Sequence, residues 1–508
     1  MVDVGLRTRM SRWPSSLALW LAAVALLAAG CSTSPKGPVG HVGVVSLSII
    51  QMNDVYELTP VSGGKEGGLA RLATLRRQVV ARNPNTFTIL AGDLLSPSAL
   101  GTATVDGERL AGKQMVDVMN VLGLDFATFG NHEFDLNQDQ FTRRLSESRF
   151  RWFSSNVTGV NGQPLANVPA NIIFTAKNAK GAQVRVGLLG LTLGANPAGY
   201  IAYRDPVAAA KEQVAALRPN VDILIAVTHL AMEDDIRLVQ SVPGIDLVLG
   251  GHEHENAEAS RGTNFTPILK ADANARTVYV HDLTYDTATK KLEVQSDLRR
   301  VTPELADDPA VLAAVTRWQD AGFAGFRTQG FEPTRVVATT TQSFDGREAS
   351  VRNRPTQLTD RLATGMLHAV PGSELALFNA GSVRIDDEIP AGEVTEYDVI
   401  RTLPFGDAVL SADMTGSLLK RVLDQGRANA GTGGFLQTAN VTRNAAGDRW
   451  LVGGAPLDPA RRYKVAINEF LLTGKETKLD FLTRQNPGVT NVAPHIDLRK
   501  ALIAELKR

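Results

Sequence analysis

Thiols are almost missing from this sequence. Its 508 residues include one cysteine, Cys31. A single cysteine closes no internal disulfide, so stability rests on packing, which a chain of this length supports. Net charge is missing as well: 53 Lys+Arg balance 53 Asp+Glu. That balance argues against a protein that holds nucleic acid through a broad basic surface. It leaves a local cleft of either sign open. What is present is a hydrophobic content of 44% beside 21% charged residues, which suits a soluble globular body. The length predicts two domains.

The first residues read as a leader and not as part of the fold. Arg7, Arg9 and Arg12 precede a short apolar stretch, Leu17 to Leu27, and "LLAAGC" sets small residues before Cys31. This is the pattern of a secretory signal, and its apolar run is short for a membrane span. The stretch resembles a bacterial lipoprotein lipobox, with Ala28 where leucine is usual. The resemblance implies that Cys31 is lipidated, becomes the mature N-terminus and anchors the chain to a membrane outside the cytoplasm, facing the periplasm or carried by the outer membrane. The following "STSPKGPVG" reads as a flexible tether.

The first half repeats one pattern. Apolar, β-branched runs end in polar residues able to bind metal. "VVSLSIIQM" ends in Asn53-Asp54, "TFTILAG" in Asp93 and "LDFATFG" in Asn131-His132. "VDILIAVT" ends in His229, and "IDLVLGG" in His252-Glu253-His254. One further run, "VRVGLLGL", carries no such residue. Helical segments such as "GGLARLATLRRQVVAR" fall between some of them. The alternation predicts an α/β fold, with ligands collected at strand ends. The remaining histidines, His41, His281, His368 and His495, lack this context and read as structural. Asp307-Asp308-Pro309 reads as a helix start. The helix after it leads to a Gly- and Pro-containing boundary, and a second half of different texture begins near Val336.

Carboxylate, amide and imidazole donors without thiolate suit two metals of intermediate hardness, Zn, Mn or Fe, divalent or of mixed valence. Two such ions clamp a phosphorus centre for in-line displacement and lower the pKa of a bound water toward neutrality. A histidine with a carboxylate three residues on, His132 and Asp135, is a plausible oriented acid. Asp135 has a rival reading as a helix N-cap.

"GD" at Gly92-Asp93, "GNHEFD" at Gly130–Asp135, "TH" at Thr228-His229 and "GGHEH" at Gly250–His254 together resemble the calcineurin-like metallophosphoesterases. "FNAGSVR", "LPFGDAV", "GGFLQ" and "NEFLLTG" in the second half resemble the substrate domain of the 5′-nucleotidase/UDP-sugar hydrolase family. The resemblance implies an N-terminal four-layer α/β/β/α sandwich and a second α/β domain that binds substrate. Its implied divisions are a leader at 1–31, a tether at 32–43, a dimetal domain at 44–305, a helical linker or hinge at 306–335 and a nucleotide-binding domain at 336–508. Asp54, Asp93 and His254 would hold one metal, with Asp93 bridging to a second held by Asn131, His229 and His252. His132 would contact the phosphoryl group, oriented by Asp135. Arg352 and Arg384 would bind phosphate, Phe405 and Phe470 would sandwich a nucleobase, Asn379 would face the base and Glu476 would reach the ribose. The implied activity is hydrolysis of nucleotides or nucleotide conjugates, of UDP-sugar or cyclic-nucleotide type. The partners are a small nucleotide and, through Cys31, a membrane. No nucleic-acid or protein partner is implied.

The sequence departs from the family in three places. Tyr56 stands where the first motif, Asp-x-His, has histidine. It reads as a phenolate ligand, which favours iron because phenol has a pKa of about 10, as a neutral neighbour of the first metal, or, ranked last because the other ligands are in place, as the mark of a lost first site. Asp407 stands in a "PFGN"-type motif, and "TGKET" places Lys475 and Glu476 where a glycine and an aspartate are expected. Rival readings are a degenerate, non-catalytic binding lipoprotein and a relative of the thiosulfohydrolases, which share the dimetal fold.

Overall fold

The computed structural model describes residues 43–165 and 167–508. The leader, Cys31 and His41 lie outside the described residues. The first half folds as two six-stranded sheets. One runs in the spatial order Lys291–Arg300, Thr277–Asp286, Val44–Met52, Thr86–Ala91, Phe126–Thr128, Arg151–Trp152. The other runs Ala257–Arg261, Thr266–Lys270, Leu247–Gly250, Ile223–His229, Gln183–Thr192, Asn171–Lys177.

Alternation along the first strand explains the layering. Val45, Leu47 and Ile49 join Val186, Leu188, Ile225 and Leu249 in a core between the two sheets. Ile50 and Met52 point the other way, onto helices that contribute Leu69, Leu72, Met115 and Met119. The far face of the second sheet (Leu191, Leu224, Ala226, Val248) packs on helices through Ala210, Val214 and Leu238. The result is the α/β/β/α sandwich, with the central parallel strands buried on both faces as their apolar runs require. The strands at 44–52, 86–91 and 126–128 are mutually parallel, so Asp54, Asp93 and Asn131 emerge at one edge. The strands at 223–229 and 247–250, also parallel, deliver His229 and the His252–His254 loop.

The helix Pro309–Thr328 begins where the Asp-Asp-Pro signal predicts. Asp308 accepts the N–H groups of Ala310 and Val311 at 2.9 and 3.0 Å. It lies back on the first half, where Trp318 donates to Asp117. The second half is built on a five-stranded mixed sheet in the order Leu436–Ala439, Leu375–Asn379, Arg462–Asn468, Ala408–Thr415, Val489–Asp497. Leu377, Leu410 and Val465 pack one face against helix Gly416–Ala428 through Leu419 and Val422. Phe378, Val409 and Ala466 pack the other against Leu362 and Leu502. Asn379 and Asn468 end parallel neighbours, and Asn379 shares a cavity with His132 and Asp135 of the first domain.

Candidate active site

The strand ends place their ligands in strained backbone. Asp54, Asp93, His252 and His254 have φ of 53°, 58°, 92° and 62°. Left-handed backbone at non-glycine residues persists where surrounding structure over-determines it, as at functional sites. Glycines make room beside them. A Cβ on Gly130 would lie 2.1 Å from Asp93 Oδ1, and one on Gly92 would lie 2.5 Å from His229 Nδ1.

Each carboxylate is turned by its second oxygen. Asp54 Oδ2 accepts from Asn53 Nδ2 at 2.8 Å and from the His252 N–H at 2.9 Å. Asp93 Oδ1 accepts the His132 N–H at 2.9 Å. The free oxygens then converge. Asp54, Asp93 and His229 each present a donor atom within 4.8 Å of the others, all buried, a group fit for a metal ion. His229 Nδ1 donates to the Ala91 carbonyl at 2.9 Å, so in the neutral ring Nε2 carries the lone pair inward. That Nε2 and Asn131 Oδ1 are both buried without a hydrogen-bond partner. Orphaned buried donor atoms of this kind ask for an ion. Three of the expected ligands, Asp54, Asp93 and His229, thus form a buried group that fits a divalent metal ion, and the orphaned Asn131 Oδ1 belongs to the same strand ends.

Electrostatics agree. Burial is the largest single influence and would raise the Asp54 and Asp93 carboxyls, but the surrounding imidazoles together outweigh it, His229 and His254 at Asp54 and His229 and His132 at Asp93, leaving Asp54 well below the usual range and Asp93 at about 2. His229 is driven up to about 9, against burial, by those two carboxylates. His252 is pushed down to about 4 by burial and by His229. It stays neutral, whereas His229 is charged in the metal-free site and would give up its Nε2 proton on binding an ion.

Tyr56 occupies the middle of the first half-site. Its hydroxyl lies 2.9 Å from Asp93 Oδ2, 3.0 Å from His254 Nε2 and 3.2 Å from Asp54 Oδ1. Asp54 Oδ1 and His254 Nε2 are 3.4 Å apart. Burial and the two carboxylates push the phenol well above its usual pKa.

His132 stands at the rim. Its Nδ1 is 2.7 Å from Asp135 Oδ2, and its Nε2 is 3.1 Å from Arg384 Nη2. A carboxylate only accepts and a guanidinium only donates, so Nδ1 bears the proton and Nε2 faces the cavity. Asp135 also accepts from Ser96 Oγ and Asn196 Nδ2, both at 2.9 Å. Its rival reading as a helix cap fails, because Asn137 caps the next helix in a capping box with Gln140. Asn196 escaped the sequence analysis: it follows, by four residues, the Gln183–Thr192 strand read as carrying nothing.

Two further carboxylates were missed. Glu133, the first of two acidic residues inside "GNHEFD", is fully buried and accepts the N–H groups of Asp93, Leu94, Leu95 and Gly130 at 2.6–3.1 Å. It fixes the turn that aims Asp93. Burial and the charge of Asp93 push its pKa up to about 7, against the pull of those donors. Asp386, from the second domain, accepts from His254 Nδ1 at 2.7 Å.

Arg384 and Arg352 both flank Glu348 beside the metal group, and the Nε–H of each is buried without an acceptor. A 520 Å³ cavity joins them to Asp93, Asn131, His252 and His254. A 960 Å³ cavity continues past His132, Asp135 and Arg384 to Phe405, Phe470, Lys475 and Glu476. Phe405 is 51% and Phe470 37% exposed, so neither serves as core. Asn379 and Glu476 line this cavity but are tied to each other, Nδ2 donating to Oε2 at 2.7 Å. Asn379 Oδ1 takes Asn468 Nδ2 at 3.0 Å and Ser382 Oγ at 2.7 Å. Asp407 accepts the Phe470 N–H and Asn468 Nδ2, both at 2.9 Å, and so secures the Phe470 turn.

Known proteins resemble the chain along most of its length. Residues 47–256 match the profile of calcineurin-like phosphoesterases, and residues 336–483 that of the 5′-nucleotidase C-terminal domain. Protein UshA of Yersinia enterocolitica is 25% identical over 86% of this chain and 87% of its own length. Human 5′-nucleotidase is 25% identical over 85% and 79%. The fold is shared with the crystal structure of a 5′-nucleotidase precursor from Thermus thermophilus, at a TM-score of 0.75 and 24% identity, covering 91% of this chain and 96% of that one. It is shared too with the sulfate thiohydrolase SoxB of that genus, at a TM-score of 0.68 and 18% identity over 91% and 94%. The chain is therefore a phosphoester hydrolase in which a calcineurin-like phosphoesterase domain is joined to a 5′-nucleotidase C-terminal domain.

Proposed function

We propose that the chain hydrolyses 5′-nucleotides or their conjugates, with two metal ions and with the nucleoside held by the second domain. One observation carries the reading: a continuous cavity runs from His132, Asp135 and Arg384 to two exposed phenylalanines. A flat apolar slot at the far end of a phosphate site suits a base. Asp54, Asp93 and His254 would hold the first ion, and Asp93, Asn131, His229 and His252 the second. When bound, the ions polarise a phosphoryl oxygen and acidify a water nucleophile.

The chain's own residues supply the rest. Arg384 and Arg352 offer their unpaired Nε–H groups to phosphoryl oxygens. His132, its Nδ1–H held by Asp135, would give a proton from Nε2 to the leaving oxygen in its imidazolium form, with Arg384 turned from Nε2 to the phosphoryl group. Phe405 and Phe470 grip the base, with Asn379 and Glu476 forming a rigid floor beneath base and ribose.

We infer that the Tyr56 hydroxyl is itself a donor to the first ion. The hydroxyl lies 2.9–3.2 Å from atoms of Asp93, His254 and Asp54, the three residues that would hold that ion, and so stands where a fourth oxygen donor would. A buried phenol is deprotonated most readily by iron. Iron-loaded protein should then show a visible phenolate-to-iron band that Tyr56→Phe abolishes, and a colourless iron protein refutes the assignment.

The location follows from the leader. We propose that Cys31 carries the lipid anchor outside the cytoplasm. Among the described residues no helix is long and apolar enough to cross a membrane. The function is tested by comparing AMP with ribose 5-phosphate. A base slot predicts a much lower KM for AMP, and equal KM values contradict it.

A further inference from the structure

The two half-sites are held differently. His229 is oriented by the Ala91 carbonyl at 2.9 Å, a backbone group of its own domain. His254 has no such support. Its Nδ1 meets Asp386 Oδ2 at 2.7 Å, and the two residues are 132 positions apart, one in each domain. Its Nε2 points at Tyr56 and Asp54. Asp386 is itself fixed: it is 7% exposed, its φ is 39°, and its Oδ1 accepts the Glu348 N–H at 2.8 Å. The next residue pins the same segment to the first domain. Asp387 accepts the Ser62 N–H at 2.8 Å and its hydroxyl at 2.9 Å, and pairs with Arg401, which reaches Glu57.

We propose that Asp386 is a positioning residue for the first metal ion, acting across the domain boundary by fixing the ring and tautomer of His254. This rests on the dimetal reading above. An imidazole that must bond through Nε2 needs its proton on Nδ1, and a carboxylate on Nδ1 holds it there and raises its basicity as a ligand. The second ion owes nothing to the C-terminal domain through His229. The first depends on one of that domain's carboxylates, so docking of the domains and filling of the first site are linked.

Titration of metal-free protein with cobalt(II), read by visible absorption and chelator competition, tests this. Wild type should take two ions. Asp386→Ala should weaken one by about 10–100-fold and leave the other unchanged. Asp386→Asn, whose amide oxygen can still accept from Nδ1, should lose less, and it stands in if the alanine variant does not fold. In a His254→Ala background, Asp386→Ala should add nothing. Unchanged affinity, equal loss at both sites, or loss that adds to that of His254→Ala overturns the proposal. If wild type binds fewer than two ions, the dimetal reading falls with it. If wild type and Asp386→Ala bind two ions alike, the positioning role alone falls.

Discussion

Glu133 offers the sharpest test of how the metal group is built. Its Oε1 accepts Leu94 and Leu95 N–H at 2.6 and 3.1 Å, and its Oε2 accepts Gly130 and Asp93 N–H at 2.6 and 3.0 Å. Glu133→Gln keeps the shape but turns one oxygen into an NH₂ group. Two buried backbone N–H groups then face a donor. Each unsatisfied group costs about 1–3 kcal/mol, so the first domain should lose about 2–6 kcal/mol of stability. The turn that aims Asp93 should loosen at the same time. Urea unfolding followed by tryptophan fluorescence measures the first effect, and cobalt(II) titration measures the second. A variant with wild-type unfolding and wild-type metal affinity refutes the claim that this carboxylate shapes the site.

Other predictions concern single residues. His132→Ala should lower kcat by about 10²–10⁴-fold while both ions still bind. Phe405→Ala or Phe470→Ala should each cost about 1–3 kcal/mol of base stacking, read as a raised KM for AMP and an unchanged KM for ribose 5-phosphate. His281 is buried, with Nε2 at 2.8 Å from Gln51 Oε1 and Nδ1 at 2.8 Å from Ser296 Oγ, and burial pushes its pKa from 6.5 down to about 3. Protonation therefore favours the unfolded chain. Stability present above pH 6.5 is lost as pH falls toward 3, at about 1.4 kcal/mol per unit. His281→Asn should remove about one proton from the slope of unfolding free energy between pH 6 and 4. Cys31→Ser should move the protein from the membrane fraction to the soluble one.

The strand-end positions of the candidate ligands were legible because each belongs to a parallel strand whose apolar run is visible in the chain. Buried strands must end somewhere, and the residues Asp54, Asp93, Asn131 and His229 sit where parallel topology collects ligands. The layering was legible too, since Val45, Leu47 and Ile49 alternate with Ile50 and Met52. What escaped were the groups that act through others. Glu133 lies one residue from His132, and nothing in "HEFD" tells which acid turns inward to accept four N–H groups. Asn196 meets Asp135 across 61 positions and Asp386 meets His254 across 132. Such pairs are set by sheet and domain docking, which local pattern does not encode. Tyr56 could be flagged as a departure, but only the packing shows its hydroxyl among Asp54, Asp93 and His254. Asp407, another departure, proves to hold the Phe470 turn.

The most direct measurement follows phosphate release from AMP by the chain starting after Cys31, with added Mn, Zn or Fe, beside a chelator-treated sample and His132→Ala. The account predicts metal-dependent release that both controls abolish. No release with any of the three metals would contradict it and point to a protein that binds without turnover.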